Sequence, residues 1–360
     1  MFKNLARAGL AGLAALVFSA AGSAAPPLKV GFVYVSPIGE AGWTYQHELG
    51  RREMVKTLGD QVTTTVVEGV AEGADSERVM RDLAAQGCGL IFATSFGYLE
   101  PALRVGADYP QLRIEQAGGY KTAANVDTYN ARYYEARYLA GLVAGKASRS
   151  GIAGYVAGFP VPEVVQGINA FALGMREVNP KAVVKVVWLD TWFDPARERE
   201  AALTLINQGA DVLANHSGSP AVPQAAQAAF KDRHVRVISY QSDMRAYAPD
   251  AQLAAITTHW GGYYTRVARS VVAGTWKPQP VWGGIADGMV DLSALAADVP
   301  ADAKRLVAER RQAIVDGRFR PFHAPLVDNE GKTRLASGAL DDKAIGTMDW
   351  FVRGVAGAVH

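Results

Sequence analysis

Apolar, β-branched runs alternate with amphipathic stretches along most of the chain. KVGFVYV, QVTTTVVEGV, GLIFATS, RIEQAG and NVDTYNA read as strands, while ADSERVMRDLAAQG and YYEARYLAGLVAGKA carry helical spacing. After an SRSG break the pattern resumes with GIAGYVAG, VVKVVWLD, DVLANHS, VRVISYQS and LAAITTHW, again with helices between them. Runs that are apolar throughout, separated by helices, predict βαβ units and parallel sheets covered on both faces.

The two halves also resemble each other. DLAAQGCGLIFATS ends at Ser95 and LTLINQGADVLANHS at Ser217, an offset of 122 residues. The same offset separates Gln86 from Gln208 and the first strand starts, Lys29 and Gly151. This predicts an α/β fold of two similar Rossmann-like lobes with parallel sheets, joined by a hinge. The expected lobes are residues 28–148 with 259–282, and 149–258 with 283–360. Such sheets bind ligands beyond the carboxyl ends of their strands, so two facing lobes would close on a small molecule by hinge motion.

The first 25 residues carry Lys3 and Arg7, then an apolar run, then small residues. This is the pattern of a signal peptide cleaved near Ala24 or Ala25, with no Cys there to take a lipid. An exported, periplasmic protein is therefore expected. No other uninterrupted apolar run approaches the ~20 residues of a membrane span. The chain has 37 basic and 35 acidic residues, and loss of Lys3 and Arg7 leaves the two equal. A near-neutral protein argues against a nucleic-acid partner. The single Cys88 excludes an intramolecular disulfide.

Residues after the predicted strands form the candidate cleft. They are Trp43, Gln46 and His47; Ser95, Phe96 and Tyr98; Glu115 and Gln116; Phe159 and Trp192; His216 and Ser217; Gln241, Asp243 and Trp260. The set is rich in aromatics, which hold planar ligands by stacking, and in carboxylates and amides, which fix orientation. Trp43 and Trp192 could clamp a flat ring from opposite lobes, with Asp243 at its edge. Each also has a plainer reading: Trp192 extends a buried strand face, His47 is an ordinary helix residue, Asp243 caps a helix.

Motifs for catalysis are missing. GxSxG, SxxK, GxxxxGK[ST] and HExxH do not occur, the six histidines are dispersed, and one Cys cannot build a zinc site. His216, Ser217 and Asp243 invite a triad, but Ser217 lacks an activating elbow. No catalytic residue, metal or cofactor is expected.

The mature sequence resembles the basic membrane protein family of ABC-transporter solute-binding proteins, which have the type I periplasmic-binding-protein fold and include purine nucleoside receptors. The likeness is carried by FPVPEVVQGINAF, DTWFDPARERE, LINQGADV and SYQSD, and extends from KVGFVYVSPIGEAGWTYQHELG to LDDKAIGTMDWFVRGV. The resemblance implies a purine between Trp43 and Trp192, Asp243 on the base edge, and a membrane permease as partner of a monomeric receptor. Together with the strand-end candidates Gln46, His47, Ser95, Phe96, Glu115 and His216, this gives an expected ligand set of Trp43, Gln46, His47, Ser95, Phe96, Glu115, Trp192, His216 and Asp243. Nucleoside-binding relatives have an Asp/Asn-rich first loop ending in Ser-Phe-Asn, whereas PIGEAGWTYQH stands here. Acidic ribose-binding residues are not evident, so the implied ligand shifts toward a free base such as adenine. The alternatives are a sugar or other aromatic nutrient in the same fold, or an enzyme or sensor built on it, such as a nucleoside-cleaving enzyme.

Overall fold

A computed structural model describes residues 26–359; the expected signal peptide, residues 1–25, lies outside them. The chain runs through β1 (Leu28–Val33), α1 (Trp43–Leu58), β2 (Val62–Val67), α2 (Ala74–Ala85), β3 (Leu90–Ala93), α3 (Leu99–Asp108), β4 (Arg113–Ala117) and β5 (Val126–Ala131). α4 (Tyr133–Ala147) leads to β6 (Ile152–Ala157), α5 (Pro162–Val178), β7 (Val183–Trp188), α6 (Pro195–Asn207), β8 (Val212–His216), α7 (Ala221–Arg233), β9 (Arg236–Gln241) and β10 (Gln252–Thr258). Then come α8 (Gly261–Val272), β11 (Val281–Gly283), β12 (Val290–Leu292) and α9 (Ala301–Val315).

These strands build two sheets with one repeated topology. The first runs β11-β5-β4-β3-β1-β2 and the second β12-β10-β9-β8-β6-β7, with Val355–Ala356 added beside β7. The counterparts β3 and β8 start at Leu90 and Val212, the offset read from the sequence. The five main strands of each sheet are parallel, as their continuous apolar runs require. β3 is buried over its whole length, and β8 likewise. Cys88 is a buried free thiol at the foot of β3, and burial pushes its pKa up, which keeps it unreactive. Among the described residues no helix is long and apolar enough to cross a membrane.

One expected boundary moves. α4, placed with the first lobe by a boundary at 148, packs instead on α5, α9, β10 and β12 of the second sheet. Small residues explain the choice. A Cβ on Gly141 would overlap the Phe171 carbonyl, and one on Gly174 would overlap the carbonyl of Tyr138. The backbones of α4 and α5 therefore meet directly, and the first crossing between sheets lies at Arg132, just past β5. Later, α8 packs on α1, β11 pairs with β5 and β12 pairs with β10.

Candidate functional site

The carboxyl ends of both sheets face a common cleft. Its inner part, with about 550 Å³ of empty space including the mouth, is lined from the first lobe by Val35, Ser36, Trp43, Ser95, Phe96, Ala117 and Gly118. Trp43 opens α1, which starts without a capping side chain: the N-cap is Gly42, at φ 91°. Only glycine serves there, because a Cβ would overlap the Gly218 carbonyl oxygen of the opposite lobe. The Gly42 amide donates to Ser242 Oγ across the cleft at 2.7 Å. Trp43 is held by its indole N–H, which donates to the Thr94 carbonyl at the end of β3, 2.7 Å away.

The second lobe supplies Glu163, Trp192, Phe193, His216, Ser217, Gly218, Tyr240 and Gln241. Trp192 sits before α6, whose start is fixed by Pro195 and by Asp194 accepting from the amides of Ala196 and Arg197. Its indole packs edge-on to Phe159 at 4.8 Å. Glu163, in the first turn of α5, has a side chain only 17% exposed. Its Oε2 accepts from Asn130 Nδ2 of β5 at 2.7 Å, and its Oε1 lies 3.4 Å from His216 Nε2. Burial lowers the His216 pKa below its usual value, so the ring is neutral at pH 7. A carboxylate has about four lone-pair positions. Asn130 occupies one and His216 Nε2 stands near the other oxygen, which leaves Glu163 with lone pairs to accept from a ligand.

Gln241 adds a donor. It ends β9 at φ 68°, a left-handed conformation that a non-glycine residue adopts at a cost. Its Oε1 accepts from Thr258 Oγ1 at 2.9 Å, while its buried Nε2 has no partner. Beneath the cleft the fully buried Arg137 lies 3.8 Å from the Tyr240 ring and donates to the Asn215 carbonyl. The site is thus an aromatic slot with one fixed acceptor and one unpaired donor, suited to a flat heterocycle bearing both functions.

The family model for PnrA-like ABC transporter substrate-binding proteins (Bmp) matches residues 28–317. The chain belongs to this family. It is 45% identical to a purine-binding protein of Brucella abortus over 347 residues, 96% of this chain and 98% of that protein. It is 36% identical to a candidate ABC transporter glucose-binding protein of Haloferax volcanii, over 92% of this chain and 81% of that one. A solute-binding protein of an Aeropyrum pernix ABC transporter shares the fold, with a TM-score of 0.71 at 19% identity over 82% of this chain and 93% of that one. As an ABC substrate-binding protein, the chain binds a small molecule for delivery to a membrane permease.

Within this Bmp-family cleft the structure brings together five of the nine expected residues: Trp43, Ser95, Phe96, Trp192 and His216. The other four sit elsewhere. Gln46 is half-buried on α1 and does not line the cavity. His47 lies behind Trp43 in the first-lobe core, its ring stacked on Trp260 at 5.0 Å and its Nδ1 hydrogen-bonded to the Tyr264 hydroxyl. Burial holds its pKa well below the usual value. Asp243 has a side chain 45% exposed and acts locally, its Oδ1 accepting from the Arg245 amide at 3.0 Å and Gln252 Nε2 at 2.6 Å. The triad does not assemble either, since the Ser217 hydroxyl donates to Glu198 at 2.8 Å. Gln241 and Ser217, strand-end candidates outside the nine, also line the slot, as do Glu163 and Tyr240, which are not among the candidates.

Glu115 is the fourth displaced residue. It is 1% exposed in the first-lobe core and accepts from the Tyr263 hydroxyl at 2.5 Å and Trp276 Nε1 at 2.7 Å. Burial pushes its pKa from 4.5 up to about 7. The folded state therefore keeps a proton that the unfolded state releases above pH 4.5, so the contribution of Glu115 to stability is greatest below that pH and is lost as pH rises through 7. Glu115→Gln should remove this fall, which amounts to about 3 kcal/mol for a shift of this size. Thermal melts at pH 5 and pH 8 check it: the wild type should lose stability across the interval and the variant should not.

Proposed function

We propose that this protein captures a free purine base, adenine in preference to its nucleosides, in the periplasm and presents it to the permease of an ABC importer. It works as a monomer, by closing its lobes rather than by chemistry. The observation that carries this reading is the slot between Trp43 and Trp192, with Glu163 as fixed acceptor and Gln241 Nε2 as unpaired donor. Adenine presents N–H donors beside ring-nitrogen acceptors, and its faces suit indole stacking. The purine-binding relative supports the same ligand class.

Stacking on an aromatic face is worth roughly 1–3 kcal/mol per base. Trp43→Ala should weaken adenine binding by that amount, read from titration of the remaining tryptophan fluorescence. An unchanged affinity would place Trp43 in the structural core alone. Mass spectrometry of ligand released by denaturing protein from producing cells should find a purine base; a hexose in its place would favour the glucose-binding branch of the relatives.

A further inference from the structure

Trp192 borders two spaces. On one side is the inner slot; on the other is an outer vestibule of about 770 Å³, open to solvent, that includes Ser36, Glu72, Asp190 and Thr191. The two share Val35, Ser36, Trp192 and Phe193, so the indole is part of the wall between them. The inner side is mainly apolar, with Glu163 as its one carboxylate, whereas the outer side brings the carboxylates of Glu72 and Asp190 and the Thr191 hydroxyl.

The indole is fastened in this position from the opposite lobe. Glu72, in the segment between β2 and α2, accepts from Trp192 Nε1 at 3.2 Å through Oε1. The same oxygen accepts from Ser95 Oγ at 2.6 Å and from the Gly97 amide at 2.8 Å. Two bonds from the loop after β3 thus hold the carboxylate within its own lobe, and the indole N–H meets a preset acceptor when the lobes close. A hydrogen bond to an ionised acceptor is among the stronger ones.

We infer that the Glu72–Trp192 latch excludes the sugar of a nucleoside, by holding the indole across the passage from the base slot to the vestibule. With the latch released, the indole can swing, and a ribose attached to the bound base reaches the vestibule beside Ser36, Asp190 and Thr191. This inference rests on the purine reading above. It assigns the choice between base and nucleoside to a pair of residues that includes Glu72, which does not line the base slot itself.

The test is calorimetric titration of wild type, Glu72→Ala and Trp192→Phe with adenine and with adenosine. Trp192→Phe keeps an aromatic face but has no N–H to donate. Wild type should prefer adenine, and in both variants the preference over adenosine should shrink by about tenfold, the effect of one charge-assisted hydrogen bond. An unchanged preference in both variants, with adenine still bound, overturns the inference. So does a wild type that binds both purines equally well. A wild type that binds neither removes the purine reading itself, and the latch as a sugar filter with it.

Discussion

Gly42→Ala is expected to leave both lobes folded and to weaken ligand capture by about a hundredfold. The added Cβ meets the Gly218 carbonyl of the opposite lobe, a contact that separation of the lobes would relieve. Backbone gives way far less readily than a flexible side chain, and overpacking of this kind costs up to ~3 kcal/mol. That cost falls on the closed state alone, so it shifts the closure equilibrium and appears almost entirely in affinity. The left-handed φ of 91° adds strain in both states and should lower the melting temperature modestly. Small-angle scattering with saturating ligand would show the variant more open than wild type. Affinity equal to wild type would mean that the lobes do not close through this contact.

Glu163→Gln is the second large effect. The amide keeps the size of the carboxylate but loses the charge, and its NH2 faces either Asn130 Nδ2 or the side toward His216 Nε2, leaving one acceptor oxygen in place of two. Hydrogen bonds to a charged group contribute roughly 1.5–3 kcal/mol, so adenine should bind about ten- to a hundredfold more weakly. Asp243→Ala, by contrast, removes local contacts to the amide and guanidinium of Arg245 and to Gln252. It should change affinity by no more than about twofold, within the range of surface substitutions. Titration of both variants decides between the two carboxylates. A large loss in Asp243→Ala with none in Glu163→Gln would return the base edge to the position implied by family resemblance.

The contrast between Glu163 and Asp243 also shows where sequence reasoning reaches and where it stops. Apolar runs and the repeated offset were enough to place ten strands in two like sheets and to put the cleft at their carboxyl ends, because parallel sheets admit few alternatives. Trp43, Ser95, Phe96, Trp192 and His216 followed from that placement alone. Which neighbour of a strand end faces the cleft depends on side-chain direction, and one residue along a turn reverses it. Asp243 stands two positions past β9 and turns out to solvent, while Gln241, the last residue of β9, turns in. His47 shares a helix face with Trp43 but lies one turn deeper, where Trp260 and Tyr264 enclose it. Glu163 had a signal: an acid beside Pro162 at the start of a helix that follows β6. Counting residues only as far as Phe159 passed it by. The packing of α4 on α5 depends on glycines whose meaning appears only when the facing carbonyls are known.

The stretch EAGWTYQHE now has a division of labour. Gly42 lets the lobes touch, Trp43 lines the slot, and His47 packs behind it. α1 starts without a capping side chain because the Gly218 carbonyl of the opposite lobe stands where a Cβ at position 42 would lie.

Calorimetric titration of ligand-freed wild-type protein with adenine, adenosine and glucose tests the central claim most directly. One site per chain, filled by adenine more tightly than by adenosine and not by glucose, is the predicted result. Heat from glucose with none from adenine would contradict it.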